Sequence, residues 1–242
     1  MSDETPEASN DFLIYGSPVS PFARKAMALA IEKGAGFDVK GVDIMNMPDW
    51  FVAISPMKRI PVLRDTSLGW DEEHGNPAGT IADSSAICGY IEKKHPTPAL
   101  YPADAYAYGR ALVLEEYADT VLAPAAGLGI FRPIFFSMMQ GQEPDLETAK
   151  ASWTEKLPPV LDFLEAQLGD ADYFAGDTMS IADVAITCCF MQIELVAKAP
   201  LDAWPGLKAH HERMTAKPSI AGPYKSAEGF IRKALPEVFD LT

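Results

Sequence analysis

The chain changes texture once, at "HPTPALYP" (residues 95–102), and that break constrains the fold more than any other feature. Upstream, the β-favouring runs "DFLIYG", "FDVKGVDI", "IPVLRD" and "GTIAD" alternate with helical stretches, in the order β-α-β-(α)-β-β-α. That order predicts a small α/β unit. Downstream of about Ala103 the strand signal stops. Long helical patterns follow at 103–122, about 125–140, 146–168, 181–197 and 206–216. Prolines 96, 98 and 102 mark the join as a linker. The sequence therefore predicts an α/β domain at 11–95, a linker at 96–102 and an all-helical domain at 103–236, with residues 1–10 as a loose tail.

Punctuation refines these elements. In the first helix, "SPFARKAMALAIEKG", Phe22, Ala26, Leu29 and Ala30 fall at helical spacing and Gly34 is a stop signal. Pro124, Pro133 and the pair Pro158–Pro159 must start, kink or divide helices. "MSIADV" (179–184) reads as a capping box of Ser180 and Asp183, with Met179 and Val184 as its hydrophobic staple. Asp183 is thus structural, and the apolar run after it predicts a buried central helix. "TSLGWDEEHGNPA" (66–78) reads as an extended excursion between the third and fourth strands.

Charge narrows the function. With 34 acidic and 20 basic residues the net charge is −14, which argues against a general nucleic-acid or anionic-membrane binder. No apolar run approaches the ~20 residues that span a bilayer, and the acidic start "MSDETPEASND" is no signal peptide. A cytoplasmic protein is predicted. Cys88, Cys188 and Cys189 sit in apolar helical contexts, as buried thiols do. The four histidines show no metal-ligand spacing with cysteines, so no metal is expected.

Four segments share a pattern with one family. "SPFARKAMALAIEKG" resembles the first helix of glutathione transferases with the active-site residue in front. "FVAISPMKRIPVL" resembles their Pro-x-x-(Lys/Arg)-(Val/Ile)-Pro-x-Leu segment, "DSSAICGYIEKKHP" their (Glu/Asp)-Ser-x-Ala-Ile helix start, and "FAGDTMSIADVAI" their capping-box segment. In order and at sensible spacing, the four cover nearly the whole chain. The resemblance implies a thioredoxin-like N-terminal domain, an all-α C-terminal domain and a homodimer.

It also implies roles. Ser20 would donate to the sulfur of glutathione at a helix N-terminus, where free N–H groups and the macrodipole favour a thiolate. Ser17, three residues earlier, is the competitor, and both serines also suit the cap of a turn or helix. Pro61 would be cis and expose the Ile60 backbone to the peptide part of glutathione. Arg59, rather than Lys58, aligns with the family's basic residue. Asp83 and Ser84 would hold the γ-glutamyl end, although Asp83 also reads as a plain helix cap. The second substrate, an apolar electrophile, would lie between the domains against Tyr117, Phe131, Phe135 and Met138, residues that equally suit a helix core. Arg132 reads either as a contact for an acidic substrate or as a snorkelling surface cation.

The resemblance predicts a glutathione transferase of detoxification type, with glutathione as co-substrate. Two alternatives stand beside it: a non-catalytic glutathione-binding or regulatory protein, and a glutathione-dependent isomerase or reductase. Serine stands where omega-like members carry cysteine, which disfavours thiol–disulfide exchange.

Overall fold

The computed structural model describes residues 10–68 and 79–242. Most of the 66–78 excursion therefore lies outside the described residues, as does nearly all of the N-terminal tail. Four strands, β1 (Phe12–Tyr15), β2 (Phe37–Lys40), β3 (Val62–Asp65) and β4 (Thr80–Ala82), form one sheet in the order β2-β1-β3-β4. β1 runs parallel to β2 and antiparallel to β3, and β4 is antiparallel to β3. Helices α1 (Pro21–Glu32), α2 (Asp49–Ile54) and α3 (Ser84–Lys94) connect and follow the strands. This is the thioredoxin-like arrangement. β2 ends at Lys40, earlier than its sequence run, because β1 offers only four residues to pair with.

α1 departs from its predicted amphipathic face. Every residue from Ala23 to Ala30 is buried, Arg24 and Lys25 included, while Phe22 is only partly buried. The cause is tertiary: α3, α8 (Ile181–Glu194) and α10 (Pro218–Ile231) all pack against α1.

The helical part differs from expectation in three ways. The patterns at 103–122 and 125–140 fuse into one helix, Ala105–Met139. It begins as α4 (Ala105–Tyr117), passes through π-helical segments at Ala118–Leu122 and Pro124–Phe131, and ends as α5 (Arg132–Met139). The wide turns accommodate the prolines: Ala123 N–H bonds back five residues to Ala118 O and Arg132 N–H to Gly127 O, so the missing proline N–H costs no break. A third such segment, Ser152–Lys156, separates α6 (Leu146–Ala151) from α7 (Leu157–Leu168), just ahead of Pro158–Pro159.

Secondly, this fused helix is long and apolar enough to cross a membrane by length and composition, with a window of mean hydropathy 1.5, contrary to the sequence expectation. Half of that window is buried inside the protein. Leu122, Ala126, Ile130 and Ile134, four residues apart, are fully buried, and the segments that carry most of them pack against α8. Gly129 faces Ser152 so closely that a Cβ there would lie 2.0 Å from the Ser152 hydroxyl oxygen.

Thirdly, α10 follows α9 (Pro205–Thr215), and the sequence pattern did not include it. Pro218, Gly222, Pro223 and Gly229 lower its intrinsic propensity, but Ile220, Pro223, Ala227 and Ile231 are buried along one side.

The capping box forms as read: Ser180 N–H and Oγ donate to Asp183 Oδ2 at 2.8 and 2.9 Å. Asp183 Oδ1 also accepts from Phe174 N–H and lies 2.9 Å from His210 Nε2. α8 is buried from Ile181 to Ile193. The linker is tied down rather than free, with the Lys33 ammonium reaching both Glu92 and the Pro98 carbonyl.

Candidate active site

Sheet register decides which loops meet. Tyr15 lies opposite Val62, and Val62 opposite Ala82. The residues after Tyr15, before Val62 and after Ala82 therefore emerge at one end of the sheet. Those residues are Gly16–Ser20, Ile60–Pro61 and Asp83–Ser84. Gly16 adjoins both α1 and the Pro61 segment: a Cβ there would meet Ala23 Cβ at 3.5 Å and Pro61 Cβ at 3.6 Å, ordinary van der Waals contact.

Ser20 is the N-cap of α1, with extended backbone and Oγ accepting from Ala23 N–H at 3.4 Å. A hydroxyl has one proton to give and two lone pairs, so capping leaves its O–H free to donate. Ser17 is engaged in its own turn, its Oγ accepting from Val19 N–H at 3.2 Å and its carbonyl from Ser20 N–H at 2.9 Å.

The Ile60–Pro61 bond is cis. Ahead of it, fully buried Ser55 donates its hydroxyl to Arg59 O at 2.8 Å and accepts Arg59 N–H at 3.0 Å. Lys58 occupies the left-handed region at φ 52° to close this turn. Arg59 and Lys58 are both exposed, and neither the N–H nor the C=O of Ile60 is bonded among the described residues.

Asp83 caps α3 from a strained backbone, at φ 79° and ψ 131°. Its Oδ1 accepts from Ser85 N–H at 2.9 Å and Ala86 N–H at 3.3 Å. That leaves Ser84, the buried first residue of α3, with an amide and hydroxyl that have no partner among the described residues, at a positive helix end. The arrangement can hold a carboxylate at Ser84, an extended backbone at Ile60 and an anionic sulfur at Ser20.

Two buried cations beneath these loops escaped the sequence reading. Lys25 Nζ donates to Ser85 Oγ at 3.0 Å, Glu115 Oε1 at 2.9 Å and Asp119 Oδ2 at 2.6 Å. Burial opposes the charge on Lys25, but the facing carboxylates outweigh it and hold the amine protonated. Arg24 joins the Pro18–Val19 turn to α8. The available signal was a basic pair set inside the otherwise apolar run "FARKAMALAIE".

The four candidates for the electrophile all lie on the long helix Ala105–Met139. Phe131 and Phe135 are core residues, their rings stacked with centroids 5.4 Å apart. Tyr117 packs on Phe163 of α7 at 4.4 Å, and Met138 is partly buried against the core. Arg132 is exposed and lies over the Phe136 ring at 5.3 Å, as the snorkelling reading expects. Neither a 20 Å³ cavity inside the helical domain nor a 560 Å³ cleft beside the C-terminal segment is lined by these four. The three thiols are buried and free, and burial pushes Cys188 up to about 11. Among the described residues no cluster of His, Cys, Asp and Glu is arranged to hold a metal ion.

Comparison with known proteins defines the class. Residues 19–94 match the N-terminal domain of glutathione S-transferase and residues 130–239 its C-terminal domain. The chain is 30% identical to the probable glutathione S-transferase GSTF2 of Oryza sativa subsp. japonica, over 85% of this chain and 92% of that protein. It is 26% identical to mouse (Mus musculus) glutathione S-transferase omega-1, over 91% of this chain and 82% of the relative. A glutathione S-transferase structure from Rhodospirillum rubrum superposes with a TM-score of 0.77 at 22% identity, covering 88% of this chain and 91% of the other. The chain belongs to the glutathione S-transferase family.

Proposed function

We propose that this protein is a cytoplasmic, homodimeric glutathione transferase that ionises the thiol of glutathione at Ser20 for attack on an apolar electrophile. The observation that carries the reading is the Ser20 hydroxyl, which caps α1 through its lone pair and keeps its proton to give. A thiolate beside it would accept that proton as a charge-assisted hydrogen bond and face the positive end of α1. The γ-glutamyl carboxylate fits the open Ser84 amide and hydroxyl, with Asp83 near the ammonium. The cysteinyl backbone fits Ile60 as an added strand would, and Arg59 is the cation within reach of the glycyl carboxylate.

In this mechanism the protein supplies position and electrostatics and the sulfur supplies the chemistry. Thiolate is the nucleophile, so each unit by which the site lowers the thiol pKa gives about tenfold more of it below that pKa. The sulfur forms the new bond to carbon while the leaving group departs with its electron pair. Tyr117, Phe131, Phe135 and Met138 remain the proposed lining for the electrophile, with the burial of Phe131 and Phe135 requiring local repacking around it. That burial also favours the second reading, a glutathione-binding protein without turnover.

Calorimetric titration of glutathione at pH 7, repeated in two buffers of different ionisation enthalpy, separates the two. Binding with proton release that Ser20→Ala abolishes is the expected result for a transferase. Binding without proton release would leave a carrier or sensor, and no binding would end the glutathione reading.

A further inference from the structure

Arg24 heads the fully buried side chains by volume among the described residues. Its place one helical turn after Ser20 is fixed by its own N–H, which donates to Ser20 O at 3.0 Å. The guanidinium is almost saturated. Nη1 donates to the carbonyls of Pro18 at 2.8 Å and Val19 at 3.1 Å, and Nη2 to Cys188 O at 2.8 Å and Gln192 Oε1 at 2.9 Å. Only Nε lacks a partner. All four acceptors are neutral.

Among the described residues no carboxylate bonds the guanidinium. On α1 the neighbouring Lys25 is a second cation, occupied with Glu115 and Asp119. From α8 the facing groups are Cys188, Cys189 and Glu194, and the Glu194 carboxylate is 2.9 Å from His211 Nε2. From α10 the Tyr224 ring lies 5.9 Å from the guanidinium carbon. Burial pushes the two thiols and the Tyr224 phenol upward, so all three are neutral near pH 7. Burial also lowers the pKa of Arg24, but a guanidinium starts so high that it stays charged. A buried cation of this kind is poorly screened, and its field reaches the nearest polar opening.

We propose that Arg24 is a positioning residue of the thiol site: it ties the Pro18 and Val19 carbonyls to α8 of the helical domain, holds the Ser20 hydroxyl at the start of α1, and through its buried charge favours an anionic sulfur beside Ser20. This rests on the proposed function for the sulfur's identity, but the field at position 20 is measurable without glutathione. Pulling the two carbonyls inward fixes the peptide planes of Val19 and Ser20, whose N–H groups close the turn on Ser17. The catalytic loop of the sheet domain is thereby read from α8, which no local sequence rule requires.

The test uses Ser20→Cys in the full chain, as a reporter thiol alkylated by iodoacetamide across pH. The three native thiols are buried and slow to react. The reporter is expected to titrate well below the usual value of about 8.5. Adding Arg24→Met should raise its midpoint by about one unit, a tenfold loss of thiolate at pH 6.5. Arg24→Lys, which keeps the charge, should restore the midpoint while the looser grip raises KM for glutathione. Should Arg24→Met fail to fold, Arg24→Gln removes the charge and keeps two donors. An unchanged midpoint in a folded, charge-free variant overturns the inference. If the midpoint shifts but wild-type protein binds no glutathione, the field stands and the glutathione reading falls.

Discussion

Lys25 Nζ and Asp119 Oδ2 meet at 2.6 Å where the first helix of the sheet domain crosses the long helix of the helical domain. Glu115, one turn earlier on the same helix, accepts a second hydrogen bond from the ammonium at 2.9 Å. The ion triad thus fastens the two domains directly behind the start of α3, through the shared contact to Ser85.

Removing the cation should be costly. Lys25→Met leaves the buried Glu115 carboxylate without its cation and the partly buried Asp119 with only the Ser85 hydroxyl, and breaking such a group costs about 3–5 kcal/mol. The adjacent Asp119 Oδ1 is already unpaired, so no spare donor waits nearby. Urea unfolding should show that loss, and Lys25→Met with Glu115→Gln and Asp119→Asn should recover much of it. A single variant as stable as wild type would refute the account.

Ser20 has two separable roles. Ser20→Ala removes the cap on α1 and should lower stability by about 1 kcal/mol. Turnover with an electrophile should fall by a further ~100-fold at unchanged fold, the loss typical of one preorganised donor. Ser17→Ala breaks only the local turn, so its activity should stay much closer to wild type. Equal losses in the two variants would move the thiol contact off Ser20.

Asp83 tests cap against ligand. Asp83→Gly relieves the positive φ but deletes the acceptor for Ser85 and Ala86, so the net stability change should be a few tenths of a kcal/mol. Asp83→Ala keeps the strain and loses the cap, at about 1–2 kcal/mol. Both should weaken glutathione binding alike in titration calorimetry. Unchanged affinity in the glycine variant would make Asp83 a cap alone.

Asp65 sets the acid limb. It is fully buried, and although burial works against its charge, hydrogen bonds from Lys94, Ser67 and Tyr90 hold its carboxyl well below the usual range. A folded-state pKa below the unfolded one gives stability that is present above the unfolded value, about 3.9, and lost as pH falls through the folded one. Asp65→Asn should cost about 1–3 kcal/mol at pH 7 and flatten the decline of Tm below pH 4. A variant with the wild-type acid limb would exclude Asp65 as its origin.

Much of the site was legible because it is built from local rules. Ser20 and Asp83 are caps and Ser84 opens a helix, features that neighbouring residues dictate, whereas the cis bond at Pro61 was expected only from the family resemblance. Arg24 and Lys25 were not legible, because their burial depends on α3, α8 and α10 packing on α1 and on Glu115 and Asp119 of the long helix meeting Lys25. Phe131 and Phe135 show the same limit: a Phe-rich helical run is apolar whether it faces a ligand gap or a core, and here both rings stack within the core.

By itself the sequence determined the order of elements in the sheet domain, the break between an α/β half and a helical half, the capping box at Ser180 and the helix caps at Ser20 and Asp83. Each depends on side-chain chemistry acting within a few residues. Only the tertiary structure decided that Pro124 and Pro133 sit inside one continuous helix, that the glycine- and proline-rich segment from Pro218 is helical, and that two cations lie buried beneath the site. In each case packing free energy between distant segments outweighs local propensity, and no short window of sequence carries that term.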